Sequence, residues 1–203
     1  MRWTDVPAQP AARPVVAWQD DLRRQDIGDP GTLAAIVQRV LAVPPDADPV
    51  VALQSGAMDS AWQHVRASRL ERGGLLLGEV FCAAANDTRP VLVYVRAAVP
   101  SRDSDATRLS LRMGATVWDA ARELLQPGEV VVGWYHSHPG IGAFFSDTDR
   151  RTQAAFFNQA FSLGWVIDPQ RAEQAWFVGP RARTLPRDAI ATVATPHTRS
   201  GRR

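Results

Sequence analysis

One stretch constrains this chain more than any other: Gly133 to Asp149, GWYHSHPGIGAFFSDTD. The apolar run Val130 to Trp134 that leads into it predicts a strand. Side chains alternate along a strand, so His136 and His138 share a face and their imidazole nitrogens can converge on one ion. The chain must then double back, and Pro139, Gly140 and Gly142 supply the turn chemistry for that. Ser146 or Asp147 opens a helix that brings Asp149 up as a third ligand, leaving a fourth tetrahedral position for water. The bland alternative is a polar strand edge. Histidine usage weighs against it: of the four histidines, the other two, His64 and His197, fall in a predicted helix and in the polar tail.

Read as a pattern, HSHPGIGAFFSDTD is HxHP, a spacer and SxxD, and upstream ERGGLLLGEV carries Glu71 at the head of a Gly/Leu strand. The two motifs in this order resemble the JAMM, or MPN-plus, metalloprotease family (Mov34/MPN/PAD-1, JAB), zinc isopeptidases that include proteasome-lid and endosomal deubiquitinases. The resemblance runs from about Val50 to about Pro180 and takes in WVIDP. It implies one Zn2+ per chain on His136, His138 and Asp149, a catalytic Glu71, and Ser146 as a hydrogen-bonding partner of the reacting oxygen. It also implies an MPN/JAB fold of the α+β (mixed α/β) class, with a curved mixed sheet flanked by helices in deaminase-like layers.

The implied substrate is the bond after the C-terminus of a ubiquitin-like protein, cleaved in deconjugation or precursor processing. Prokaryotic relatives process ubiquitin-like or sulfur-carrier proteins, some beside conjugation enzymes in antiphage systems. The resemblance therefore implies ubiquitin-like proteins, their conjugates and conjugation-pathway enzymes as partners. Two alternatives stay open, a non-catalytic MPN scaffold and a hydrolase of sulfur-carrier or small peptide conjugates. RadC-type DNA-repair-associated proteins share HxHP and SxxD, but with a proline-rich spacer that GIGAFF lacks. Taken without the family pattern, Glu71 reads as a solvated charge at a strand end. Ser146 reads as a helix N-cap holding the Asp149 amide.

Composition closes off other classes. The 203 residues, 45% hydrophobic and 22% charged, suit one globular domain with extra terminal segments. The net charge is +2 and the arginines are scattered, with no cationic cluster interleaved with aromatics, which argues against a nucleic-acid face. The single cysteine, Cys82, excludes an internal disulfide and a cysteine-based zinc cage, and is expected to be a small buried hydrophobe. MRWTDVPAQPAARP lacks the apolar core of a signal peptide, and no run approaches the roughly 18 apolar residues of a membrane span. A cytoplasmic protein without membrane contact is expected.

Three regions follow. Residues 1–48 are expected to be an arm, irregular to about residue 29, with Val15, Val16 and Trp18 able to dock, then one short helix over 32–43 stopped by Pro44 and Pro45. Residues 49–180 form the expected catalytic domain. It opens with a strand at 50–53, then a helix capped by Asp59 or Ser60 and running to about Ser68, on which His64 packs or faces solvent. Glu71 opens a strand paired through NDTRP with VLVYVRAAV, and Gly73 and Gly74 leave room for a close backbone or substrate. Glu79 is expected at the surface. Residues 101–110 read as a loop, the place of a partner-touching insertion in the family; then come a helix from Gly114, the metal strand, a helix from Asp147 to about Phe161, and the strands LGWVID and EQAWFVG. Residues 181–203 are expected to be a flexible basic tail. No P-loop, GxGxxG or nucleophile elbow accompanies these elements.

Overall fold

The strands at the centre of the sheet are near-continuous apolar runs, as expected of sheet covered on both faces. The computed structural model describes residues 13–24, 30–42, 44, 47–84, 87, 89–102, 104–107, 110–113 and 115–195. His197 and the arginines beyond it lie outside the described residues, as do residues 1–12 and the side chain of Val16. In chain order the elements are β1 (Arg13–Pro14), α1 (Val15–Arg24), α2 (Pro30–Leu41), β2 (Val50–Gln54), α3 (Ser55–Arg66), β3 (Gly73–Cys82) and β4 (Leu92–Pro100). They continue with β5 (Ser104–Thr107), β6 (Ser110–Met113), α4 (Ala115–Leu124), β7 (Val130–Ser137), α5 (Asp147–Phe156), β8 (Leu163–Asp168) and β9 (Glu173–Val178). The last are β10 (Arg183–Leu185), a single 3-10 turn (Arg187–Ala189) and β11 (Ile190–Val193).

The main sheet runs β10-β9-β8-β7-β3-β4-β2-β11, and β1 pairs with β3. It is mixed: β3 is antiparallel to both β4 and β7, while β7 runs parallel to β8, and β2 runs parallel to both β4 and β11. Strand alternation sorts its side chains into two faces. One carries Val51, Leu53, Leu76, Val93, Trp165 and Trp176, covered by Ala57, Ala61 and Val65 of α3. The opposite face is covered in two patches. Val117 and Ala121 of α4 join Leu75, Leu77, Trp134 and Phe145, while Val15, Trp18 and Leu22 of α1 join Leu33, Val37 and Val40 of α2 over Ala52, Phe81 and Tyr94. This is the α+β arrangement expected, a curled mixed sheet with helices on both faces.

Several local expectations change. The arm holds two helices: Val15, Trp18 and Leu22 fall at helical spacing and are buried, so α1 is ordered by packing although its sequence is polar between them. Residues 104–107 and 110–113 pair as a two-stranded ribbon where a loop is expected. Helix α3 begins at Ser55, ahead of the expected cap, because Thr195 supplies the cap from the far end of the chain. Its Oγ1 accepts the Gly56 N–H at 2.7 Å. Helix α5 stops at Phe156, since Phe157 turns into the core and stacks on Trp134 and Trp118. Glu79 is not a free surface charge, for it pairs with Arg13 at 2.9 Å with its side chain only 20% exposed. Where a flexible tail is expected, residues 183–185 and 190–193 form strands at the two opposite rims of the sheet.

Candidate metal centre

Strand β7 carries His136 and ends at Ser137, just before His138, and the parallel neighbour β8 holds it there, with His136 paired to Val166 and Ser137 to Ile167. The chain then reverses through residues 139–145, where Gly140 and Gly142 adopt φ of 82° and 96°, a region side-chain-bearing residues avoid. A buried carboxylate fixes this reversal. Asp168, at the end of β8, accepts N–H bonds from Gly140 (2.9 Å), Gly142 (2.7 Å), Gln170 (2.9 Å) and Arg171 (3.1 Å). Burial pushes its pKa up, but these four donors outweigh burial and hold it below the usual carboxylate range.

Helix α5 then opens on Ser146 with a reciprocal cap. Ser146 Oγ accepts the Asp149 N–H at 3.2 Å, and Asp149 Oδ2 accepts both the Ser146 N–H (2.7 Å) and its hydroxyl (2.6 Å). Asp147 stays exposed. The cap orients Asp149 toward the histidines: its Oδ1 lies 3.2 Å from His136 Nε2, its Oδ2 lies 3.6 Å from His138 Nε2, and the two Nε2 atoms are 3.2 Å apart. All three residues are buried and could hold a metal ion. Ligands about 2.0–2.1 Å from a tetrahedral divalent ion stand about 3.3 Å from one another, so the spacing fits such an ion. The donor chemistry fits as well. Burial pushes the His136 pKa down, against the hydrogen bond and charge of Asp149, which keeps the imidazole in the neutral form a ligand needs. Burial pushes Asp149 up, but hydrogen bonds from His136, His138 and Ser146 overcome it and hold this carboxyl below the usual carboxylate range.

Glu71 sits two residues before β3, not within it. The β3–β7 pairing reaches Gly73 opposite His136, and two further steps in that register set Glu71 opposite His138. It is buried at 4% exposure. Burial pushes its carboxyl up to about 7, with His138 pulling it down and Asp149 pushing it up. The four residues expected to act together thus share one buried spot, with Ser146 holding Asp149. The close approach expected at the glycine pair is made by the chain itself: a Cβ on Gly74 would stand 2.1 Å from the Val99 carbonyl oxygen. His64 is a packing residue whose Nδ1 meets the Tyr135 hydroxyl at 2.9 Å.

Besides Asp168, sequence reasoning missed two supports. Trp134 lies flat on His136, with ring centroids 4.5 Å apart at 10°, and its Nε1–H donates to Gln153 Oε1 at 2.7 Å. Gln153, fully buried, spends its amide N–H groups on the carbonyls of Phe157, Ser162 and Gly179. Its position one helical turn after Asp149 was the available signal.

Residues 54–179 match the family described as prokaryotic homologs of the JAB domain. This chain belongs to that family. The JAB-domain chain is 33% identical over 147 residues to the 26S proteasome non-ATPase regulatory subunit 14 of Dictyostelium discoideum, a match covering 70% of this chain and 45% of that one. It is 36% identical over 129 residues to COP9 signalosome complex subunit 5 of Caenorhabditis elegans, covering 60% of this chain and 33% of the relative. The chain therefore spans less than half the length of these curated relatives. A solution structure of a protein from Desulfitobacterium hafniense superposes with a TM-score of 0.51 at 19% identity, over 75% of this chain and 99% of that one, a likeness of fold alone. No helix among the described residues is long and apolar enough to cross a membrane.

Proposed function

We propose that this JAB-domain protein is a zinc-dependent isopeptidase that hydrolyses the amide after the C-terminus of a ubiquitin-like protein, in deconjugation or precursor processing. The carrying observation is the convergence of His136 Nε2, His138 Nε2 and Asp149 at ligand spacing beside a buried Glu71. Zinc held by these three residues supplies a Lewis acid and a source of hydroxide at neutral pH. Glu71 does the proton work. Its carboxylate accepts the proton of the attacking water and returns it to the departing amine, which for a lysine ε-amino group must leave protonated. Ser146 keeps Asp149 aimed through its two bonds to Oδ2, and its hydroxyl serves the developing oxyanion by exchanging its bond to Oδ2 for one to that oxygen.

On this reading residues 49–180 are the catalytic unit, residues 1–48 an accessory arm, and the setting a cytoplasmic, bacterial ubiquitin-like conjugation or antiphage system with conjugation enzymes as partners. The names of the relatives, both subunits of multiprotein assemblies, support a setting among partner proteins. The test uses zinc-loaded protein and a panel of ubiquitin and ubiquitin-like proteins, each bearing a fluorogenic amine in amide linkage at its C-terminus. Hydrolysis of one of them, reduced about 10²- to 10⁴-fold by Glu71→Gln, supports the reading. Cleavage of free peptides alone points instead to a small-conjugate hydrolase. Inertness toward every substrate points to a scaffold.

A further inference from the structure

Ser137 lies between the two histidines and belongs to neither their cluster nor their face, since alternation turns it away. It is fully buried. In the β3–β7 register, Gly73 stands opposite His136, so Arg72 stands opposite Ser137. A regular antiparallel pair at that point would exchange two backbone bonds, each N–H to the other's carbonyl. Only one is made in that way: the Ser137 N–H donates to the Arg72 carbonyl at 2.8 Å. The second goes elsewhere, because the Arg72 N–H donates at 2.9 Å to the Ser137 side-chain Oγ. The hydroxyl takes the place of the residue's own carbonyl. The backbone of β7 is thus free to turn into the metal loop while its last residue still grips the strand beside it.

What that grip holds is Glu71. Beyond Gly73, β3 makes no further ladder pair with β7, so the residue preceding Arg72 takes its place opposite His138 from this clamp. We propose that Ser137 is a positioning residue, whose hydroxyl sets the distance between the Glu71 backbone and the strand that carries His136 and His138. With alanine at 137 the Arg72 N–H loses its acceptor and the Glu71 end of the strand is tied by one bond. A displacement of about 1 Å in a proton-transferring group lowers rate about 10²-fold, and removal of supporting contacts around a metal site lowers activity about 10- to 100-fold.

The inference rests on the functional reading for its kinetic arm alone. The first measurement is amide hydrogen exchange on zinc-loaded protein. The Arg72 N–H is expected to be protected in the wild type and to exchange at least about 10-fold faster in Ser137→Ala, with Leu75 to Leu77 unchanged. Equal Arg72 rates in the two proteins overturn the proposal. The second is a double-mutant cycle on whichever C-terminal amide the wild type hydrolyses. Ser137→Ala is expected to lower kcat about 10- to 100-fold with KM and zinc content unchanged, and to add no loss in the Glu71→Gln background. Wild-type kcat in Ser137→Ala, or losses that multiply in full, overturns it. If the wild type hydrolyses no substrate, the functional reading falls and the exchange rates alone decide the clamp. Should Ser137→Ala fail to fold, Ser137→Cys, with similar volume and a weaker acceptor, carries the same readouts.

Discussion

Replacing Glu71 by glutamine is expected to make the metal-free protein more stable at alkaline pH and to change it little in acid. Burial raises the Glu71 carboxyl from 4.5 to about 7, so the folded state holds this proton more tightly than the unfolded chain does. Below about pH 4.5 both states are protonated and no penalty exists; it grows as the pH rises and is complete once the folded carboxyl has ionised, above about 7. At about 1.4 kcal/mol per pH unit the full effect is about 3 kcal/mol. Screening by nearby solvent reduces this to about 2 kcal/mol, most of it between about pH 5 and 8. Glutamine keeps the shape and removes the titration. Urea unfolding of both proteins in chelator, at about pH 5 and about pH 8, gives the quantity that matters, the change in their stability difference. A gain of about 2 kcal/mol for the variant at the higher pH is expected. A difference that stays constant with pH would mean that Glu71 is solvated in the folded protein, and the argument for a tuned proton acceptor would fail with it.

Elemental analysis of protein purified without a chelating tag is expected to find about one zinc per chain, absent from His138→Ala; a folded wild type that takes up no zinc contradicts the site. Ser146→Ala removes the cap and one of the bonds to Asp149 Oδ2, so thermal unfolding is expected to show a loss of about 1 kcal/mol. Competition with a chromophoric chelator is expected to show zinc bound about 10- to 100-fold more weakly. Asp168→Asn leaves the four N–H donors around residue 168 with a neutral acceptor, a loss of about 2–3 kcal/mol near neutral pH. Because the folded carboxyl of Asp168 sits below its usual range, that stability is present above about pH 4 and lost as the pH falls through the folded value. The gap between wild type and variant in acid-dependent unfolding therefore closes toward low pH.

What the sequence disclosed and what it hid divide along a physical line. Strands whose apolar residues run unbroken, such as LGWVID and VVVGWYHS, were legible because their period and length are local properties. The candidate cluster was legible for the same reason: His136, His138 and Asp149, with the capping Ser146, lie in one turn-bounded stretch, and Glu71 was added by its motif. Contacts between distant segments were hidden. Helix α3 looked as though it should begin at Asp59 or Ser60, the good cap formers, and starts at Ser55 because Thr195 reaches it. Glu79 looked like a surface charge until Arg13, from the arm, came to meet it. Asp168 and Gln153 were overlooked because a buried polar side chain cannot be told from an exposed one until its hydrogen-bond donors and acceptors arrive from elsewhere.

The rim strands β10 and β11 leave a consequence for how such a protein comes into being. Leu185 and Ile190 sit on opposite rims, yet the few residues between them span at most about 18 Å, so one short piece of chain draws the sheet round on itself. That piece is made after every ligand. A chain still being synthesised has Glu71, both histidines and Asp149 outside the ribosome while Leu185, Ala189 and Val193, all buried in the finished protein, are not yet available. For that interval the strands that carry the candidate ligands exist without the piece that joins the two rims of their sheet.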